Sequence, residues 1–256
     1  MRHKTWKPVV LAIAAFSLTA MVPLSLSAQD HPEDHHDQKV EEHHDDHAVM
    51  QRDDHRVTTL EALEAHYNKP YGPALVKEID HVNADYRKFI EAAPFFALAT
   101  GGPEGLDCSP RGDAAGFVRV QDEKTLLIPD RRGNNRIDSL RNIISDPRVA
   151  LLFLVPGIGE TIRVNGRASI STDPALVESF AVSGKTPRTI IVVAVERVFF
   201  QCSKAIVRSK LWEPAPRVAR ERLPTAGTIL AGISDGKIGG PEHDRGEPQR
   251  IKETLY

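Results

Sequence analysis

Cysteine, net charge and internal repetition are all scarce in this chain. Two cysteines occur among 256 residues, Cys108 and Cys202. In an oxidising compartment they would be able to close one long loop, but neither has a neighbouring histidine that would mark it as a nucleophile. The formal net charge is -2, which gives no electrostatic case for a nucleic-acid partner, so local arginine clusters read as small-ligand chemistry. There is no tandem repeat. Regular alternation of strands and helices is also missing, which argues against a Rossmann domain. No residue stands out as a general acid or base: His66 and His81 read as solvated or structural positions on N-terminal helices, and Glu160 as a turn residue. At 41% hydrophobic residues the chain has room for a sizeable core.

What is present begins with two unlike N-terminal segments. Arg2, His3, Lys4 and Lys7 precede an apolar stretch from Val9 through Leu26, followed by the small residues Ser27 and Ala28. Residues 1–28 therefore read as a secretory signal peptide, and the chain as exported and periplasmic. The apolar segment approaches spanning length, so an uncleaved membrane anchor is the competing reading. No twin-arginine pair is present. Residues 29–56 hold His31, His35, His36, His43, His44, His47 and His55 among many carboxylates. With almost no apolar content, this segment reads as a disordered His/Asp/Glu-rich linker. Its paired imidazoles suit loose binding of a divalent metal, but the spacing defines no closed four-ligand site.

The remainder, residues 57–256, reads as one domain rich in short strands. Thr58 and Glu61 form a capping box ahead of a short helix, and apolar spacing from Ala74 to Ala92 predicts a longer one. Strands are expected at 95–100, 107–111, 116–120, 124–129, 149–155, 161–171 and 189–201, the last long enough to carry a bulge. Asp173-Pro174 starts a helix through Val182. The expected class is mainly β with flanking helices (α+β), and a closed or partly closed barrel is the natural way to hide strand edges.

The most informative stretch is Leu127-Ile128-Pro129-Asp130-Arg131-Arg132-Gly133-Asn134-Asn135-Arg136, running into Ile137-Asp138-Ser139-Leu140-Arg141-Asn142-Ile143. An apolar strand ends in a turn with three arginines and two asparagines, and an amphipathic helix follows at once. Amide N–H groups at a helix start, joined by guanidinium forks, suit a phosphate or another compact anion. A solvated basic loop is the alternative for this motif taken alone.

Two further segments accompany it: Asp107-Cys108-Ser109-Pro110-Arg111-Gly112-Asp113 upstream, and Cys202-Ser203-Lys204-Ala205-Ile206-Val207-Arg208-Ser209-Lys210-Leu211-Trp212 downstream. In this order the three resemble the pyridoxamine 5'-phosphate oxidase-like family, in particular a bacterial subgroup with P-D-R-x-G-N-x-R and K-A-x-x-R-S-x-L-W segments. The resemblance covers roughly Thr58 to the C-terminus. It implies an FMN-binding split β-barrel that works as a homodimer with flavin at the subunit interface.

By that resemblance Arg111 reaches the FMN phosphate, Asn135 and Arg136 continue the cradle, and Arg131 or Arg132 adds a contact. Pro129 and Asp130 sit where the family contacts the isoalloxazine edge, although Pro129 replaces an expected hydroxyl residue. Lys204, Arg208, Ser209 and Trp212 form the second half of the implied site, with Trp212 closing over the flavin or plugging the barrel end. Asp107 and Asp113 are expected to orient Arg111. The cysteines, both inside motifs shared with cytoplasmic relatives, are expected as free, partly buried thiols. The implied function is FMN-dependent oxidoreduction of an unidentified small organic substrate; the alternatives are a non-catalytic flavin-binding or electron-transfer protein and a haem-binding relative.

Overall fold

The computed structural model describes residues 55–214 and 218–256. The expected signal peptide and all of the His-rich linker except its last two residues lie outside the described residues. Among those described, no helix is long and apolar enough to cross a membrane, and no three His, Cys, Asp or Glu side chains are grouped to hold a metal ion. The described residues fall into two units, 55–63 and Glu64–Tyr256. In the first, Thr59 Oγ1 accepts the Ala62 N–H at 3.2 Å at the start of helix α1 (Leu60–Glu64). The cap is thus Thr59 and not Thr58.

The larger unit is built on seven strands: β1 (Phe95–Gly102), β2 (Gly105–Gly112), β3 (Arg119–Asp122), β4 (Thr125–Pro129), β5 (Arg148–Leu154), β6 (Thr161–Ser171) and β7 (Ile190–Gln201). They form one antiparallel sheet in the order β2-β1-β5-β6-β7-β4-β3. Alternation decides which side chains face inward. Phe96 and Leu98 of β1 share a single core with Val120 of β3 and with Leu126 and Ile128 of β4, strands far apart in the sheet order. A flat sheet would keep these residues apart, so the sheet curls around a common interior. Within it Phe96 packs on Phe153 at 5.0 Å between ring centroids and on Phe117 at 5.8 Å. A smaller apolar cluster of Leu127, Phe180 and Ile190 lies on the other face of β4 and β7, under α5 (Pro174–Glu178).

The helix expected over residues 74–92 is two helices, α2 (Gly72–Val76) and α3 (Ala84–Ala92). Two interactions break it, one local and one from far along the chain. The Asn83 side chain accepts the Tyr86 N–H at 2.8 Å and restarts the helix, and Ile79 is drawn into a bridge with Val198. His81 consequently lies between the helices, beside Asp80 at 2.9 Å. Helix α5 ends before Val182, whose backbone exchanges hydrogen bonds with Lys185. Between β4 and β5 comes α4 (Asp138–Ser145), and after β7 comes α6 (Lys204–Ser209), which stops short of Trp212 because Lys210 is left-handed at φ 53°.

Two further helices follow, α7 (Ala226–Ile233) on a mainly apolar segment and α8 (Gly240–Thr254) on a mainly polar one. Asp244 joins them, accepting from Thr225 Oγ1 at 2.5 Å and from the Gly227 N–H at 2.7 Å. Both cysteines are free, as expected, but exposed and not partly buried: Cys108 alternates outward on β2 and Cys202 follows the end of β7.

The bulge expected in β7 is present. Asn165 pairs with Arg197 while Gly166 pairs with Val195, leaving Glu196 as the extra residue. At this step a Cβ on Gly166 would collide with the Ala194 carbonyl oxygen. Gly166→Ala is therefore expected to destabilise the domain by about 1–3 kcal/mol, as overpacking does, measured by urea unfolding against the parent protein.

Candidate functional site

Strand β2 sets three polar side chains on its inward face, Asp107, Ser109 and Arg111, in register with Thr100, Leu98 and Phe96 of β1. Helix α4 lies across this end of the sheet. Asp107 fixes it there, accepting from Ser139 Oγ at 2.7 Å and from Ser109 Oγ at 2.9 Å, while Asn142 Nδ2 donates to Thr100 Oγ1 at 3.1 Å. Asp107 thus orients two serines and not Arg111. The carboxylate beside Arg111 is Asp130, with NH2 to Oδ1 at 3.7 Å, beyond hydrogen-bonding range.

Asp113 follows β2 and also serves a different arginine. It takes Arg131 Nε on Oδ2 at 2.7 Å and the Tyr256 hydroxyl on Oδ1 at 2.7 Å, and the Ala114 N–H at 2.7 Å completes its set. Arg131 NH1 also donates to the Phe180 carbonyl at 2.8 Å, and its guanidinium lies 5.5 Å from the Tyr256 ring centroid. Burial pushes the Asp113 carboxyl upward, but the hydrogen bonds from Tyr256, Ala114 and Arg131 outweigh it and hold its pKa below the ordinary value. Asp130 goes the other way: burial raises it, against the opposing pull of Arg111 and Arg188.

Between these anchors runs the basic turn. Asp130 N–H bonds the Thr189 carbonyl at 2.9 Å, extending the β4–β7 ladder to the last ordered step before the turn. Asn135 then adopts φ 60° and Ile137, directly before α4, φ 55°. Asn tolerates this left-handed conformation; a β-branched residue does so only at a cost of about 1–3 kcal/mol. The strained Ile137 turns the chain so that α4 starts at the cavity, with no side chain capping its first amides.

The result is a cavity of about 850 Å³ lined by residues of β2, the turn, the start of α4, the segment Lys185–Thr189 and Tyr256. Two polar atoms at its edge are buried and without a hydrogen-bond partner, Arg111 Nε and Thr189 Oγ1. Both flank Asp130. Unpaired donors, loose amides and surplus guanidinium charge fit a phosphate-bearing ligand with hydrogen-bonding ring edges.

Of the residues singled out from sequence, Arg111, Asp130, Arg131, Arg132, Asn135 and Arg136 line this cavity. Arg131 is committed to Asp113, and Arg136 is exposed and paired with Asp138 at 2.7 Å. Pro129 is buried at the end of β4, opposite Ile190, and does not line the cavity. Lys204, Arg208, Ser209 and Trp212 lie elsewhere. They follow the far end of β7, roughly 35 Å from Ile190 at the usual strand rise. There Trp212 Nε1 donates to the Ile158 carbonyl at 2.7 Å. Within one chain they do not meet the cavity. Lys185, Arg188, Thr189 and Tyr256 also line the cavity, although none lies in one of the three motif segments. The first three were legible in principle, since pairing the end of β4 with the start of β7 sets Arg188 beside Asn135, with NH1 to Oδ1 at 3.3 Å.

Replacing Asp113 by Asn removes the charge that holds Arg131 and Tyr256 together. With the Asp113 side chain only 2% exposed, the expected loss is about 3 kcal/mol, or about 6 to 12 °C in Tm for a unit of this size. Because the folded-state pKa is depressed, the pair's contribution is fully present above the ordinary carboxylate value and lost as pH falls through the folded one. The deficit of the variant should thus be greatest near neutral pH and shrink in acid, as read by thermal melts across pH.

The family model described as pyridoxamine 5'-phosphate oxidase matches residues 82–202. Among solved structures, HupZ from Group A Streptococcus is 19% identical, with a TM-score of 0.40, covering 48% of this chain and 95% of that one. General Stress Protein 26 from Bacillus anthracis is 18% identical, TM-score 0.34, covering 44% and 88%. The FAD binding protein from Mycobacterium smegmatis is 13% identical, TM-score 0.33, covering 47% and 95%. No curated protein sequence matches the chain. The segment similar to the pyridoxamine 5'-phosphate oxidase family model holds all seven strands, β1 to β7, together with the basic turn at one end of their common core.

Proposed function

We propose that the cavity binds FMN and that the protein is an FMN-dependent oxidoreductase acting on a small organic molecule. The observation that carries this reading is the buried, unpartnered Nε of Arg111 beside a strained turn that aims the uncapped start of α4 at the same space. A phosphomonoester near neutral pH carries between one and two negative charges, enough to engage two or three such donors. Arg111, Asn135 and Arg188 would hold the phosphate, with Arg132 and Lys185 adding positive potential. Asp130, half-buried between Arg111 and Arg188, would face the ring edge as an acceptor for ligand N–H groups. Bound flavin supplies hydride and electron transfer, which needs no protein nucleophile.

We infer in addition that two copies pair through the outer face of β2, β1 and β5. The register aligns Pro110, Ala97 and Leu152 in one row and Cys108, Ala99 and Ala150 in the next, a mostly apolar surface with Phe95 and Leu152 exposed. Such pairing would let α6 of one copy, with Lys204, Arg208, Ser209 and Trp212, approach the cavity of the other.

Three experiments test these readings. Purified protein should show flavin absorption or take up FMN. Arg111→Ala should weaken that binding at least about tenfold, equivalent to about 1.4 kcal/mol, whereas the solvent-facing Arg136→Ala should change it less than about threefold. Equal effects of the two would refute the assigned cradle. For the assembly, light scattering should give twice the mass of one chain, and Leu152→Arg should yield monomer with weakened FMN binding. Anaerobic photoreduction followed by reoxidation with oxygen and organic acceptors separates an oxidoreductase from an electron carrier.

A further inference from the structure

We propose that Tyr256 is a ligand-contacting residue of the cavity, its ring forming the wall against which the planar ring of the bound cofactor packs. The inference rests on the flavin reading above and adds a residue that lies well beyond the matched segment of 82–202.

Three observations carry it. First, Tyr256 is the only aromatic side chain among the described residues that line the cavity, whose other walls are mainly charged and polar. Sites for planar ring ligands combine a few polar anchors with apolar and aromatic surface, and here a single ring supplies the aromatic part. Second, the ring is held in orientation. Its hydroxyl donates to Asp113 Oδ1 at 2.7 Å, and the Arg131 guanidinium stands 5.5 Å from its centroid. The bond to Asp113 raises the phenol pKa, so the hydroxyl stays protonated and donating at neutral pH. Third, the appendage that delivers Tyr256 has little other packing role: α8 buries none of its own residues and is tied to α7 through Asp244.

The test is an FMN titration of the full chain as wild type, Tyr256→Phe and Tyr256→Leu, following both affinity and the emission of bound flavin. A phenol in contact with photo-excited flavin quenches emission by passing an electron that returns without net chemistry; a phenyl ring does not. Wild type should therefore bind FMN with strongly quenched emission. Tyr256→Phe should keep affinity within about threefold while bound-flavin emission rises at least twofold. Tyr256→Leu should weaken binding about tenfold, about 1.4 kcal/mol, and also raise emission. If Tyr256→Leu fails to fold, the emission of Tyr256→Phe decides. Unchanged emission in both variants would overturn the contact while leaving flavin binding in place. Tighter binding by Tyr256→Leu would overturn it too, showing that the ring occupies the ligand's place. A wild-type protein that takes up no FMN would refute the flavin reading itself, and the ring contact with it.

Discussion

The pairing of Arg131 with Asp113 is the joint on which the site is assembled. The two residues come from opposite margins of the curled sheet, Asp113 just past β2 and Arg131 just past β4. Backbone ladders do not link those strands, so a charge-assisted hydrogen bond closes the gap. The pair is nearly dry, and each partner has further bonds: Asp113 to Ala114 and Tyr256, Arg131 to the Phe180 carbonyl. A buried pair of this kind adds little net stability compared with an apolar contact, but it is costly to break and specific in geometry. Its yield here is position. With Arg131 tied down, the turn that follows has little choice of path, and Arg111 is left facing the cavity with a free Nε.

The two aspartates beside the two arginines show how environment separates similar groups. Asp113 collects three hydrogen bonds and is held as a carboxylate; Asp130 sits at 3.7 Å from Arg111 with burial its dominant influence. One works as structure, the other remains available to a ligand. Spacing in sequence gave no hint of which was which, because Asp113 lies closer along the chain to Arg111 than to the arginine it binds.

Much of the sheet was legible from alternation and turn residues. Strand β6 runs over Thr161–Ser171 as expected, and the β-branched run before Gln201 does carry its bulge. The contiguous half of the site was legible too, since Asp130 to Arg136 is a single turn whose residues cannot be far apart. What escaped was set by contacts between distant parts of the chain. Helices α2 and α3 look like one helix until Ile79 is seen bridging to Val198. Arg188 reaches Asn135 only because β4 pairs with β7, and Tyr256 reaches Asp113 from 143 positions along the chain. Conversely, the segment from Lys204 to Trp212 matches a motif yet ends beyond the far end of β7, a distance that no single-chain argument from spacing reveals.

The hydrogen bond from Tyr256 to Asp113 spans 143 positions along the chain. Closing a loop of that length in an unfolded chain costs entropy, though the cost grows only slowly with the number of residues spanned. The wall that Tyr256 adds to the cavity is therefore complete only when this contact is made. A small molecule that recognises only the finished cavity draws the folding equilibrium toward the fully docked chain in proportion to its concentration. A ligand held there would thereby favour the chain in which the contact between Tyr256 and Asp113 is made.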